Sequence, residues 1–328
     1  MPANLPPQYF EVEKEYRLAK TNKEKIKALE AMLTIVPKHK GTDKLRGQLR
    51  KKISRLKDES QKKHATSKRG YFFNIEKEGA AQVVLTGPPN VGKSEILSRV
   101  TKALSEIADY PFTTRKPIAG MMRFENIQIQ LVDTPPLAKE YTEQWIFNII
   151  RNADALLMVA DLGTDPLEQL ETTLEELKRH KVKPIGKGLM EKADEGFVNK
   201  STLIVCNKND LDGAPESFEA LQDLYGEEFS LISISATEGV NLEQMKRSTF
   251  EILNIIRVYT KAPGKAEDRN APFILKRGRT VQDLAERVHK DFAKKLKYAR
   301  IWGSEKYSGQ MVQKDHVLRD GDIIELHI

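Results

Sequence analysis

The stretch Val83–Glu95, VVLTGPPNVGKSE, restricts the fold more than any other part of the chain. Val83, Val84, Leu85 and Thr86 carry a strand signature that stops at Gly87. Gly87-Pro88-Pro89-Asn90-Val91-Gly92-Lys93-Ser94 then satisfies GxxxxGK[ST] at every required position. Consecutive backbone N–H groups turn inward around phosphates only where glycines leave room for the approach. In that arrangement Lys93 reaches the β- and γ-phosphates and Ser94 ligates Mg²⁺. The helix that opens there, with Ile96, Leu97, Val100 and Leu104 at helical spacing, points its positive end at the anion. The spacing predicts a phosphate-binding loop between a buried strand and a helix.

From Tyr71 to about Arg257, strand-like and helix-like segments alternate, the pattern of an α/β domain whose mostly parallel sheet has helices on both faces. The strand candidates are Gln82–Thr86, Ile127–Val132, Ala155–Val159, Thr202–Cys206 and Ser230–Ile234. Ligand-binding residues of such a sheet belong just past the C-terminal ends of its strands. There stand Asp133-Thr134-Pro135-Pro136, Asp161, Asn207-Lys208-Asn209-Asp210 and Ser235-Ala236-Thr237. Asn207-Lys208-x-Asp210 selects a base: a carboxylate at Asp210 accepts from both N1–H and the 2-amino group of guanine, and adenine offers neither donor. Lys208 would lay its stem along the base, Asn207 would brace the loop, and the Ala236 N–H would donate to the guanine 6-oxo group.

Two flanking regions differ in texture. Thr21 and Glu24 form a capping box before Ile26, Leu29, Met32 and Leu33, and Pro37 ends that helix. A second helix from about Thr42 has one narrow stripe of Leu45, Leu49, Ile53 and Leu56 among many lysines and arginines, which suits a helical hairpin or a face packed on another domain. Its basic residues read either as a solvated face or as an RNA-phosphate contact. A hinge is expected near Ser67–Gly70. Toward the C-terminus, Thr280 and Asp283 cap a helix carrying Leu284, Val288, Phe292 and Leu296. Phe273–Leu275 and Ile323–Ile328 read as strands of a small α+β domain. The net charge of +7 permits a nucleic-acid partner. The chain has no apolar run of membrane-spanning length and no secretory leader pattern, so a cytoplasmic location and no membrane partner are expected. The single Cys206 reads as a buried strand residue.

The phosphate loop, Ala108-Asp109-Tyr110-Pro111-Phe112-Thr113-Thr114, the Asp133 segment, Asn207-Lys208-Asn209-Asp210 and Ser235-Ala236 together resemble the Obg-related GTPases of the translation-factor class. The nearest branch is that of the developmentally regulated GTP-binding proteins (DRG). Residues 257–328 resemble their TGS domain, a ubiquitin-like β-grasp module, through Val258-Tyr259-Thr260-Lys261, Tyr298-Ala299-Arg300-Ile301-Trp302-Gly303 and Asp315-His316-x-Leu318-x-Asp320-Gly321-Asp322. The resemblance implies a basic helical N-terminal region over 1–70, a P-loop GTPase domain over 71–256 and a TGS domain over 257–328. It implies slow Mg²⁺-dependent GTP hydrolysis, GTP and GDP as ligands, and association with ribosomes or structured RNA, with a regulatory protein as a further partner. By the same resemblance Lys93, Thr114 and Asp133 carry catalysis, Thr114 (or Thr113) closing over Mg²⁺ and the γ-phosphate and Asp133 holding Mg²⁺ through water. Asn90 stands where related GTPases coordinate K⁺; a locally hydrogen-bonded loop asparagine is the alternative. Together with Gly87, Asn90, Val91, Gly92, Lys93 and Ser94, the residues Glu95, Asn207, Lys208, Asp210, Ser235 and Ala236 form the expected nucleotide site.

Departures from the family pattern leave a second reading open. The expected DxPG is Asp133-Thr134-Pro135-Pro136, which replaces the γ-phosphate-sensing glycine by a residue with no N–H. Leu137-Ala138-Lys139-Glu140-Tyr141 offers no glutamine to orient water, Glu95 puts a carboxylate near the α-phosphate, and only a polar stretch over 181–201 stands where DRG proteins carry an inserted module. The alternative is a nucleotide-bound ribosome or RNA adaptor with little or no hydrolysis.

Overall fold

The computed structural model describes residues 8, 12, 22–36, 46–47, 49–53, 75–101, 117–137, 142–186, 194–265, 267, 269, 271–305 and 307–328. Thr21, Pro37, Leu45, Leu56, Leu104, the 67–70 hinge, the 108–114 segment with Thr113 and Thr114, and residues 138–141 lie outside the described residues. The chain divides into two compact units, Met1–Phe72 and Phe73–Ile328. In the first, helix α1 (Asn22–Ile35) buries Leu29 and Met32, with Val36 just beyond its end, against Leu49 and Ile53. Leu49 and Ile53 of the narrow apolar stripe are thus covered by α1. Arg46 Nη1 donates to the Val36 carbonyl at 2.7 Å, giving a partner to a group that the helix end leaves open. Arg50, Lys51 and Lys52 are exposed.

The second unit opens with β1 (Gln82–Thr86), every residue of which is buried. A strand buried on both faces belongs in the middle of a parallel sheet. β1 lies between β3 (Ile127–Asp133) and β4 (Ala155–Asp161), parallel to both. The sheet runs β2-β3-β1-β4-β6, with β2 (Ile118–Phe124) antiparallel to β3 at one edge. The long β6 (Val198–Asn207) pairs first with β5 (Val182–Ile185) and then with β7 (Ser230–Ser233), both parallel. The two-residue period of a strand sends alternate side chains to opposite faces. Val83 and Leu85 join α2 (Lys93–Val100) and α6 (Leu242–Ile252) in one core. Val84, Met158 and Cys206 join α3 (Gln144–Asn152), α4 (Pro166–Arg179) and α5 (Ala214–Tyr225) in the other. Helices therefore cover both faces, as the alternating sequence pattern implies. Burial pushes the Cys206 thiol up to about 12, so it is an inert packing residue.

The C-terminal part forms a five-stranded sheet ordered β11-β10-β12-β8-β9, from β8 (Ile255–Thr260), β9 (Phe273–Lys276), β10 (Tyr298–Trp302), β11 (Gln310–Val312) and β12 (Ile323–His327). β12 is parallel to β8 and the remaining pairings are antiparallel. Helix α7 (Val281–Val288) seats Val281 and Leu284 on this sheet against Val258, Ile301 and Ile324, the arrangement of a β-grasp domain. The Thr280–Asp283 capping box is present in both directions. The single helix expected through Leu296 is instead two: at His289 the backbone is extended (φ −168°, ψ 144°), and its Nδ1 accepts the Asp291 N–H to open α8 (Lys290–Lys295). α8 has no buried residue, so nothing in the core holds it in line with α7.

Candidate nucleotide-binding site

Between β1 and α2 the chain turns through Gly87 (φ +146°), Asn90 (φ +64°) and Gly92 (φ +91°), backbone that side chains other than glycine and asparagine seldom adopt. A Cβ at Gly87 would collide with the Val159 carbonyl, and one at Gly92 with the Asn207 amide nitrogen. Both glycines are therefore required by contact as well as by conformation. The loop walls a cleft of about 540 Å³ lined by Pro89, Asn90, Gly92, Lys93, Ser94, Glu95, Ile118, Asp133, Thr134, Pro135 and Pro136. It lies at the C-terminal ends of β1 and β3 and against the N-terminus of α2, where backbone N–H groups favour an anion.

The charged groups of the cleft are coupled. Lys93 is buried, and its Nζ donates to the Gly87 carbonyl at 3.0 Å and the Pro88 carbonyl at 2.6 Å, which curls the ammonium over the loop. Burial pulls its pKa down to about 8 against the opposing pull of Asp133. Ser94 Oγ donates to Asp133 Oδ2 at 2.5 Å. The other oxygen, Asp133 Oδ1, is buried with no hydrogen-bond partner, and burial raises the pKa of this carboxyl although Ser94 and Lys93 both lower it. A carboxylate so placed, beside a serine hydroxyl, is the hard-oxygen donor set that Mg²⁺ takes, and the residues present fit that ion. Thr134 Oγ1 donates to the Leu85 carbonyl at 2.8 Å, and the Leu137 N–H donates to the Gly87 carbonyl at 3.1 Å. Leu137 is itself buried in the core beneath α3. The segment after Asp133 is thereby fastened to β1 at one end and to the phosphate loop at the other, and its Pro136 has no N–H to offer.

Asn207 ties three segments together. Its Nδ2 donates to the Val91 carbonyl at 2.9 Å and its Oδ1 accepts the Ala236 N–H at 3.0 Å. The Ala236 N–H, expected as a donor to the base, is here bonded to the Asn207 carboxamide oxygen. Ser235 is fully buried and its Oγ accepts the Glu238 N–H at 3.0 Å, so it shapes the loop from within. Lys208 (φ +67°) turns its Nζ onto Asp161 Oδ2 at 2.5 Å. Asp161 in turn accepts the Gly163 N–H at 2.9 Å through Oδ1. Asp210 is exposed, and its carboxylate has no hydrogen-bond or ion-pair partner among the described residues, which leaves it open to a base. Asn90 likewise lines the cleft, and its side chain has no hydrogen-bond partner among the described residues. Glu95, at the cleft wall, pairs with Arg99 at 2.9 Å, and Arg99 also donates to the Thr237 carbonyl at 2.7 Å. Asp161 and Arg99 went unassigned in the sequence. Asp161 stood at a strand end, where function collects, but nothing in its spacing revealed Lys208 as its partner.

Comparison with known proteins agrees with this geometry. Residues 82–208 match the family model described as 50S ribosome-binding GTPase, and residues 256–328 match the TGS domain. An uncharacterized GTP-binding protein of Methanocaldococcus jannaschii is 30% identical over 365 residues, covering 93% of this chain and 92% of its own. Human developmentally-regulated GTP-binding protein 2 is 27% identical, covering 92% of this chain and 98% of its own. The aligned span of 365 exceeds the 328 residues of this chain, so the archaeal relative carries segments that this chain lacks. The Schizosaccharomyces pombe YchF GTPase has the same fold, with a TM-score of 0.51 over 77% of this chain and all of its own at 14% identity. A loop built for phosphate, a base loop ending in a free aspartate, and relatives aligned across both GTPase and TGS regions lead to one assignment: the chain belongs to the Obg/DRG-type family of GTP-binding proteins.

Proposed function

We propose that this protein binds GTP and GDP with Mg²⁺, hydrolyses GTP slowly, and acts in the cytoplasm with ribosomes or structured RNA in translation, under the control of a protein partner. One observation carries the nucleotide part. The Asn207 carboxamide fixes the base loop to the phosphate loop through Val91 O, so Asp210 and Lys93 belong to a single rigid site. In it, α2 and the loop N–H groups receive the phosphates, and Lys93 exchanges its carbonyl partners for phosphate oxygens. Ser94 and Asp133 would hold Mg²⁺, with Thr114 as a further ligand by family resemblance; the ion supplies neutralisation of charge developing on the phosphate oxygens. Asn90 is the residue available to K⁺. Asp210 supplies the preference for guanine. The family match and the basic helix of the N-terminal unit support the ribosome or RNA part.

Slow hydrolysis follows from what the segment after Asp133 lacks: Pro136 has no donor for the γ-phosphate, and Leu137 has a buried apolar side chain in place of a group to orient water. The same observation favours the second reading, an adaptor that binds nucleotide without useful turnover. Multiple-turnover phosphate release by the purified chain, with and without ribosomes, decides between them. Release that ribosomes accelerate supports the GTPase; its absence under both conditions leaves the adaptor.

A further inference from the structure

At the other end of the parallel sheet, where β1, β4 and β6 begin, lies a cavity of about 390 Å³ bounded on its far side by β8 and β9 of the TGS domain. Its walls carry Lys77, Lys200 and Lys276, from three separate segments of the chain, and a single carboxylate, Asp154. That carboxylate is taken: Oδ1 pairs with Lys77 Nζ at 2.6 Å and Oδ2 accepts the Gln82 N–H at 2.8 Å. Lys200 and Lys276 are left without a counter-ion among the described residues. Lys276 is exposed and its ammonium has no hydrogen-bond partner there. Lys200 is 8% exposed, and of its three donors one reaches an acceptor among the described residues, the Ala153 carbonyl at the end of α3. That bond complements the C-terminus of α3 and would account for Lys200 alone. With Lys77 paired to Asp154, it leaves Lys276, which faces the same space, without an account. The pKa of Lys200 is drawn down to about 8 by burial and by the charges of Lys77 and Lys276, with Asp154 opposing. Repulsion of that kind is what a bound anion relieves. The remaining wall holds Asn152 and Asn199 and an apolar patch with Ala80, Leu253, Ile255 and Ile274. Convergent charged and polar groups beside an apolar patch can orient a small molecule that carries both an anionic and a carbon portion.

We propose that this cavity is a second ligand site, taking a small phosphorylated organic anion with its phosphate against Lys200 and Lys276 and its carbon portion against the apolar patch. Because the walls come from both the GTPase and the TGS regions, such a ligand bridges the two. It is distinct from the nucleotide cleft, which lies at the opposite ends of the same strands.

Phenyl phosphate is a suitable probe, with GDP and Mg²⁺ saturating the nucleotide cleft of the full chain. Calorimetry should give one additional site, and phenyl phosphate should shield Lys200 from amine acylation at pH 8, read by peptide mass spectrometry. Lys276→Gln, at an exposed position, should weaken phenyl phosphate by about tenfold, the loss of one charge-assisted hydrogen bond, with GDP affinity unchanged. Lys200→Met, checked for an intact thermal transition, should abolish the additional site. Equal affinity in the parent chain and Lys276→Gln, or no shielding of Lys200, would overturn the proposal. So would shielding by a 5′-phosphorylated oligoribonucleotide but not by phenyl phosphate, which would make the lysines an RNA contact. Shielding can also be read without GDP, so a failure of GDP to bind would count against the nucleotide site and not against this one.

Discussion

By family resemblance, position 136 is where a nucleotide switch places an N–H donor, and proline has none. A switch works only through groups that contact the γ-phosphate and that GDP leaves empty. A charge-assisted N–H bond of that kind is worth about 1.5–3 kcal/mol, or roughly a ten- to hundredfold preference for GTP over GDP. The neighbouring Leu137 N–H cannot substitute, because it already donates to the Gly87 carbonyl at 3.1 Å. Pro136→Gly should therefore raise affinity for a non-hydrolysable GTP analogue relative to GDP and leave GDP affinity nearly unchanged; an unaltered ratio by calorimetry would show that position 136 is not the sensor. A second residue-scale outcome concerns Lys93, whose pKa of about 8 means that the ammonium is lost as pH rises through that value. The phosphates require the charged form. GDP affinity should fall by about tenfold between pH 7 and pH 9, and Lys93→Met, weak throughout, should lack that dependence. For folding alone the sign is reversed. Burial favours neutral Lys93, so the unfolded chain binds more protons between about pH 8 and 10.5 and the ligand-free protein gains stability from this group over that window.

At the scale of elements, β1, β3, β4 and β6 were legible because each has an apolar run with a polar residue at its end, the mark of a central parallel strand, and β7 because Leu231 and Ile232 lead into Ile234 and the Ser235-Ala236 loop. β2 and β5 were not. β2, IAGMMRF, carries Arg123 among its apolar residues because it lies at an edge and turns Ala119 and Arg123 to solvent, and Gly120 weakens the strand signal further. β5, VKPI, contains Pro184, which is tolerated because among the described residues β5 pairs with β6 alone. The break at His289 was invisible for a different reason: Leu284, Val288, Phe292 and Leu296 keep helical spacing across it, and the capping bond that restarts the helix is local to His289 and Asp291. Within the site, glycines, Lys93, Ser94 and the Asn207–Asp210 set were readable from spacing alone, while the Ala236–Asn207 and Lys208–Asp161 bonds depend on where distant strand ends meet. The basic helix after residue 42 gives an element-scale outcome. If it contacts RNA phosphates, replacing Lys51, Lys52 and Arg55 by alanine should flatten the salt dependence of RNA or ribosome binding, and a slope unchanged in filter binding would return these residues to a solvated face.

For the larger unit as a whole, the GTPase and TGS regions share β8, whose Ile255 packs in the first core and Ile256 in the third. Between them Arg257 pairs with Asp320 at 2.7 Å and with Glu125 in the β2–β3 turn, and its guanidinium lies 5.0 Å from the Phe250 ring centre. Asn126 of the same turn donates to the Tyr259 hydroxyl at 2.6 Å. Arg257→Met should cost about 1–3 kcal/mol by denaturant unfolding, the loss of a largely enclosed, multiply bonded charge, and no change in midpoint would show that these bonds contribute nothing net. The β2–β3 hairpin runs from Ile118 and Asp133 at the cleft to Glu125 and Asn126 at this junction, so one rigid element touches both.

The measurement that bears most directly on the assignment is calorimetric binding of GDP, GTP and ATP to the parent chain and to Asp210→Asn. The free carboxylate of Asp210 should give the parent chain a strong preference for guanine nucleotides. Its replacement should weaken GTP by about ten- to several-hundredfold, in line with the loss of charge-assisted hydrogen bonds individually worth about 1.5–3 kcal/mol. Equal affinity of the parent chain for ATP and GTP would contradict the account.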